Sequence, residues 1–216
     1  MISKVEWERM MSGRLYCPYK VGGDSWARVH AAQKKFNESE FWHDRTALDE
    51  LRKCFAEAPE DMVLTAPVYF DNGDRVHFGR HFYANTGLTI LDVCPVRFGD
   101  NVYLGPNVNI YTAGHPIDAA VRNHDVEFGL PVTIGSDVWI GGNVVINPGV
   151  TIGDNVVIGS GSVVTKDIPP NCIAVGNPCR VLREIGEADR VRWEREYRDY
   201  LDDTGAETCK STFRRA

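Results

Sequence analysis

Residues 132–164 read VTIGSDVWIGGNVVINPGVTIGDNVVIGSGSVV. Set in sixes, one column holds Ile134, Ile140, Ile146, Ile152, Ile158 and Val164. A second, two residues earlier, holds Val132, Val138, Val144, Val150 and Val156, and fails only at Ser162. The columns extend upstream through Phe98, Leu104 and Ile110, and through Val96, Val102 and Val108. Gly135, Gly141, Asn147, Gly153 and Gly159 follow the large residues. Asp137, Asn143, Gly149, Asn155, Gly161 and Asp167 come two positions later. Such a unit supplies one short β-branched strand and one tight turn that needs φ > 0. Each unit fails alone and succeeds in a stack, where the two columns form a continuous interior and coils hydrogen-bond about 4.8 Å apart. A period of six is incompatible with the 3.6 of a helix, so the segment is a parallel β-helix.

Working outward, Phe78, Ala84 and Ile90 keep the period but lie two residues out of phase, which places a small insertion near Asp92–Pro95. The columns break only between Ile110 and Val132, and the chain returns in register. A long excursion inside a compact repeat marks function or disorder. This one, 111–131, contains His115, His124, Asp125 and Glu127 and few flexible Gly/Ser runs, so it reads as a built arm. Residues 1–60 read as helices: Ser3 with Glu6 forms a capping box and Gly13 ends the first helix. A second helix covers about Asp24–Asn37 with Trp26, Val29 and Phe36 on its apolar side. A third carries Leu48, Leu51, Phe55 and Ala58. The β-helix is expected over 61–185, closed by NPCRVLREI. The final part, 186–216, holds an amphipathic helix over 187–201 and a polar tail.

Composition narrows the function. A net charge of −6 argues against nucleic acid and anionic membrane as main partners. No apolar leader opens the chain, and no window is long enough to span a bilayer. Six cysteines make no CxxC pair and no zinc-like spacing with histidine. They read as reduced thiols of a cytoplasmic protein.

The segments PVYFDNGDRVHFGRHFYANTG, LDVCPVRFGDN, YTAGHPID, PVTIGSDVWIGGNVVINPGVTIGDNVVIGSGSVVTKDIPP and GNPCRVLREI resemble the maltose and galactoside O-acetyltransferases, in that order and over nearly the whole chain. That resemblance implies a left-handed β-helix, a homotrimer with sites between subunits, acetyl-CoA as donor, a sugar hydroxyl as acceptor, and no metal. It also implies that the N-terminal helices are that family's small N-terminal domain. His115 matches the family's catalytic histidine. Histidine, with an ordinary pKa near 6.5, suits removal of a hydroxyl proton; by itself the residue fits a turn histidine equally well. Glu127 fits either an orienter of the imidazole tautomer or a solvated loop carboxylate. By resemblance the Gly142 N–H is the oxyanion donor.

For the acceptor, Asn85 matches a substrate-contacting position, and Asp71 and Asp92 fit either hydroxyl binding or turn formation. Asp71 stands where galactoside-type members carry Ser, Val93 replaces a second carboxylate after Asp92, and LDVCP is the maltose-type sequence. For CoA, Arg180 and Arg183 match phosphate-binding arginines, and Ser160, Thr165 and Lys166 match further contact positions. Trp139 fits a wall for sugar or pantetheine, or a stacking surface for the next chain. The rival readings are a xenobiotic O-acetyltransferase, whose similar fold lacks the N-terminal helices, a metal-dependent hydratase of the γ-carbonic anhydrase type, drawing on His77, His81, His115 and His124, and a non-catalytic scaffold.

Overall fold

The computed structural model describes residues 3–205. From Val63 onward the chain winds as a three-faced parallel β-helix. Face I stacks Val63–Leu64, Tyr83–Ala84, Tyr103–Leu104, Trp139–Ile140, Val156–Ile158 and Cys172–Val175. Face II stacks Val68–Phe70, Leu88–Leu91, Asn109–Tyr111, Val145–Ile146 and Val163–Val164. Face III stacks Val76–His77, Val96–Phe98, Val132–Ile134 and Thr151–Ile152. Both apolar columns point inward: Val132, Ile134, Val138, Ile140, Val144, Ile146, Val156 and Ile158 are buried.

Two kinds of turn residue do different jobs. The positive φ angles fall at the later position, as at Asn143 (58°) and Asn155 (53°). The glycines directly after the isoleucines are needed for closeness instead: a Cβ on Gly141 would stand 2.6 Å from the backbone nitrogen of Ser160 in the next coil. Stacked amides link the turns, with Asn107 donating to Asn143 (3.2 Å) and Asn155 to Asn171 (3.0 Å).

Register locates the irregularities. Val145 pairs with Val163, an eighteen-residue coil, whereas Val68 pairs with Leu88 and Val76 with Val96, coils of twenty. The extra residues lie at the edge between faces II and III, at 92–95 as the phase shift implied, and also at 71–75. The arm 111–131 leaves from that same edge, so one corner of the prism carries every departure from the repeat.

Three helices, Lys4–Met11, Asp24–Asn37 and Thr46–Arg52, cover the N-terminal end. Val29, Phe36, Leu48 and Leu51 share one apolar cluster with Phe70, Phe78 and Phe82 of the first coils, so the helices have no core of their own. The second helix also covers the edge strand Val68–Phe70. Gln33 accepts from the Phe70 N–H (2.7 Å) and Asn37 accepts from the Val68 N–H (2.8 Å), which removes an exposed template for strand pairing. Trp26, expected inside, is 53% exposed and stacks on His30. The third helix ends at Arg52, so Phe55 and Ala58 pack from the segment beyond it. Ser3 accepts from the Glu6 N–H, but the Glu6 carboxylate turns to the Cys17 N–H (2.9 Å), leaving the capping box one-sided.

At the far end Arg180–Glu184 folds back antiparallel on Cys172–Val175. The last helix runs Glu187–Thr204, three residues past the expected end, and buries no side chain. The tail beyond 205 lies outside the described residues.

Candidate active site

Most of the expected site residues fall on two edges of the prism. Asn85, Gly142 and Ser160 follow face I strands and stand on the I–II edge, with the Gly141 N–H bonded to Ile158 and the Asn85 N–H to Leu104 (3.0 Å). Asp71, Asp92, His115, Thr165 and Lys166 follow face II strands and stand on the II–III edge. A six-residue face at about 3.3 Å per residue separates these edges by up to about 20 Å.

The arm on the II–III edge is anchored at its foot. Leu130 donates to the Thr112 carbonyl (2.8 Å), Thr112 donates to Leu91, and Ala113–Gly114 pairs antiparallel with Phe128–Gly129. A short helix, Ala119–Arg122, is capped by Asp118, and Arg122 ties back to the carbonyls of Pro116 and Ile117 (2.9 Å each). His115 is therefore held on a rigid foot while its ring stays 56% exposed. Its Nδ1 lies 3.2 Å from the Val126 carbonyl oxygen. A carbonyl only accepts, so Nδ1 carries the proton and Nε2 keeps its lone pair. The Glu127 Oε2 is 3.9 Å from Nε2. The tautomer is thus fixed by Val126 rather than by Glu127, whose carboxylate stands beside the other ring nitrogen. His124 is exposed on the arm.

Glu127 has a second partner that the sequence left unmarked. Tyr16, from the turn after the first helix, donates its hydroxyl to Glu127 Oε1, and the two residues exchange backbone hydrogen bonds (2.9 and 3.1 Å). Tyr16 is buried, and burial followed by the adjacent carboxylate raises its phenol far above the ordinary range. Behind it Arg75 donates to the carbonyls of Asp92 (3.2 Å) and Val93 (3.0 Å) and lies 4.6 Å over the Trp7 ring.

Asp92 does not face the solvent. It is fully buried, and its carboxylate accepts from the backbone N–H groups of Asp71 (2.9 Å), Asn72 (3.0 Å) and Gly73 (2.7 Å). Burial outweighs those bonds and pushes its carboxyl up to about 6. Both carboxylate oxygens are taken by loop N–H groups, which fits the turn-forming reading of Asp92. Asp71 is the half-buried product of that loop. It lines an open groove of about 550 Å³ with His30, Lys34, Tyr69 and Leu91, and burial raises its carboxyl above the usual range. Asn85 is half-buried and its Oδ1 accepts from the Thr86 N–H (2.8 Å). The Gly142 carbonyl accepts from Gly161 (2.9 Å), while its own N–H has no backbone acceptor among the described residues and can receive an oxyanion.

Trp139 points outward from face I, 57% exposed, in register with Tyr103 and Val157. Ser160, Thr165, Lys166 and Arg180 are exposed; Arg180 donates to the carbonyl of Cys179 (2.7 Å). The Arg183 guanidinium is held by both carboxylate oxygens of Asp189 (2.6 and 2.8 Å). That pair holds the Asp189 carboxyl down at about 2, so Arg183 is already partnered within the chain. His77 lies 3.7 Å from Glu57 and His81 3.0 Å from Asp61, and among the described residues no three metal-ligating side chains converge.

Residues 131–166 match the model of the bacterial transferase hexapeptide family (six repeats). The galactoside O-acetyltransferase of Escherichia coli (strain K12) is 44% identical over 192 residues, covering 88% of this chain and 95% of that protein. The crystal structure of a maltose O-acetyltransferase from Clostridium difficile 630 is 46% identical with a TM-score of 0.80, covering 87% of this chain and 99% of that one. A galactoside acetyltransferase solved in complex with coenzyme A is 42% identical with a TM-score of 0.74, covering 85% and 92%. The solenoid matches the left-handed β-helix of hexapeptide-repeat acetyltransferases. On this likeness across nearly the full length of its relatives, the chain belongs to the galactoside and maltose O-acetyltransferase family and is an acyltransferase.

Proposed function

We propose that this enzyme moves the acetyl group of acetyl-CoA to a sugar hydroxyl, with His115 as general base, in a cytoplasmic homotrimer whose active sites lie between neighbouring subunits. The observation that carries the reading is the exposed Nε2 of His115, its lone pair set by the Nδ1 contact to Val126 and its charge matched by Glu127. The acceptor hydroxyl gives its proton to Nε2 as its oxygen bonds to the thioester carbon. The tetrahedral oxyanion draws support from the Gly142 N–H. Collapse breaks the C–S bond, and the imidazolium returns the proton to the leaving thiolate. Glu127 stabilises the imidazolium between these steps.

Sharing between subunits is supported by the split across edges. Asn85 and Gly142 stand a face-width away from His115 in one chain, so a second chain must bring its I–II edge to the arm. Two inactive variants, His115→Ala and Asn85→Ala, regain acetyl transfer when co-expressed as mixed trimers. A site confined to one chain gives no recovery. The relative with bound coenzyme A supports the donor, and Arg180 and Lys166 are exposed cations able to meet its phosphates. Arg180→Ala raises the KM for acetyl-CoA about tenfold, the size of one charge-assisted hydrogen bond, and leaves kcat near wild type.

The acceptor is tested with acetyl-CoA and a panel of glucose, maltose, galactosides and an antibiotic hydroxyl, with products identified by mass. The expected result is one acetyl group added to a sugar. Acetylation of the antibiotic alone selects the xenobiotic reading. A reducing compartment fits the five described cysteines, all free.

A further inference from the structure

The carboxylate of Glu127 is shared between two parts of the molecule that are remote in sequence. Its Oε2 stands 3.9 Å from His115 Nε2, and its Oε1 accepts the hydroxyl of Tyr16, 111 residues away. We propose that Tyr16 is a positioning residue whose hydroxyl holds the Glu127 carboxylate against His115, making the N-terminal segment part of the catalytic machinery. The inference rests on the reading of His115 as base.

A carboxylate at the end of two rotatable bonds has several staggered rotamers, and only some of them face the imidazole. One well-placed donor on the opposite oxygen selects among them. Tyr16 is such a donor at every working pH, because burial and the facing carboxylate keep its phenol protonated. Its own position is fixed from two sides. The reciprocal backbone bonds lock Tyr16 to Glu127 as a two-residue ladder. Met10 and Cys94 bury its ring. The first helix and the turn 12–17 thus serve as a clamp on the foot of the arm.

Simple core packing by the Tyr16 ring would leave the same burial, so the test removes only the hydroxyl. Tyr16→Phe keeps ring and volume. It lowers kcat about tenfold or more with the KM for acetyl-CoA unchanged, the scale of one hydrogen bond to a charged group. In a double-mutant cycle, Tyr16→Phe added to Glu127→Ala lowers kcat no further, because the carboxylate it positions is gone. Unchanged kcat in Tyr16→Phe, or the same fold loss with and without Glu127, overturns the proposal. Site-specific 3-fluorotyrosine at position 16 is the second variant, should Tyr16→Phe lose its fold. It alters donor strength with one added fluorine, and its effect on kcat disappears in the Glu127→Ala background if Tyr16 acts through Glu127. His115→Ala is run beside the cycle. An active His115→Ala enzyme overturns both the base and its positioning; an inactive one with multiplicative Tyr16 and Glu127 effects overturns the positioning alone.

Discussion

His115→Ala lowers kcat by at least about 100-fold, the contribution of a positioned general base, while the KM for acetyl-CoA and the melting temperature stay near wild type. The first half follows from chemistry. Once the imidazole is gone the nearest carboxylates are poor replacements, because Asp92 is turned into its own loop, Glu127 is bonded to Tyr16, and Asp71 is a carboxylate, a weaker base than imidazole. The second half follows from structure. The ring is 56% exposed and its one hydrogen-bond contact is to the Val126 carbonyl, so truncation opens no core and orphans no buried donor. Glu127→Ala provides the contrast. It removes support for the imidazolium but not the base, and lowers kcat about tenfold. If Glu127→Ala were the more damaging and His115→Ala kept a tenth or more of the activity, the carboxylate would be the base and the roles assigned here would exchange. CoA thiol release with the acceptor saturating reads both variants in one assay.

The coil was legible because its cause is local. Val and Ile every six residues admit one way of burying two columns, and the residue pair after each isoleucine marks the turn. The same pattern does not tell why each turn residue is there. Gly141 and Asn143 look like one turn signal, yet the first answers to the approach of the next coil and the second to its own φ. The insertion at 71–75 was hidden because Val76 and Phe78 restore the alternation at once, and the pairing of Val68 with Leu88 exposes it. His115 was legible as the polar residue that opens the one excursion from the stack. Tyr16 was not: LYCP resembles any turn after a helix, and its meaning comes from a partner 111 residues later. Trp26 was misplaced because helical spacing to Val29 is satisfied on paper, while the face that meets the coils is set by Val29, Gln33 and Phe36. Asp92 was ambiguous in principle, since a sugar hydroxyl and a ring of backbone N–H groups both call for a carboxylate.

Asp92→Ala resolves that ambiguity through stability. Asp71 also bonds to the Ile90 carbonyl (3.2 Å), but Asn72 and Gly73 lose their acceptor. Two orphaned N–H groups destabilise by about 2–5 kcal/mol, a fall in melting temperature of roughly 10 °C for a chain of this size. The loop that presents Asp71 loosens with it, so the KM for the acceptor rises while that for acetyl-CoA does not. The pH dependence carries a sign of its own. The carboxyl titrates near 6 in the folded protein, above its unfolded value of about 3.9. The native state therefore binds the extra proton between these values, and this group's contribution is full at low pH and lost as pH rises through 6. The alanine variant lacks that slope, so the stability gap between wild type and Asp92→Ala widens by about 1–1.5 kcal/mol from about pH 8 to about pH 5. Urea titrations of both proteins at the two pH values measure it. A gap that narrows on acidification would mean that the three N–H bonds outweigh burial and hold the carboxylate ionised, a group built wholly for its charge.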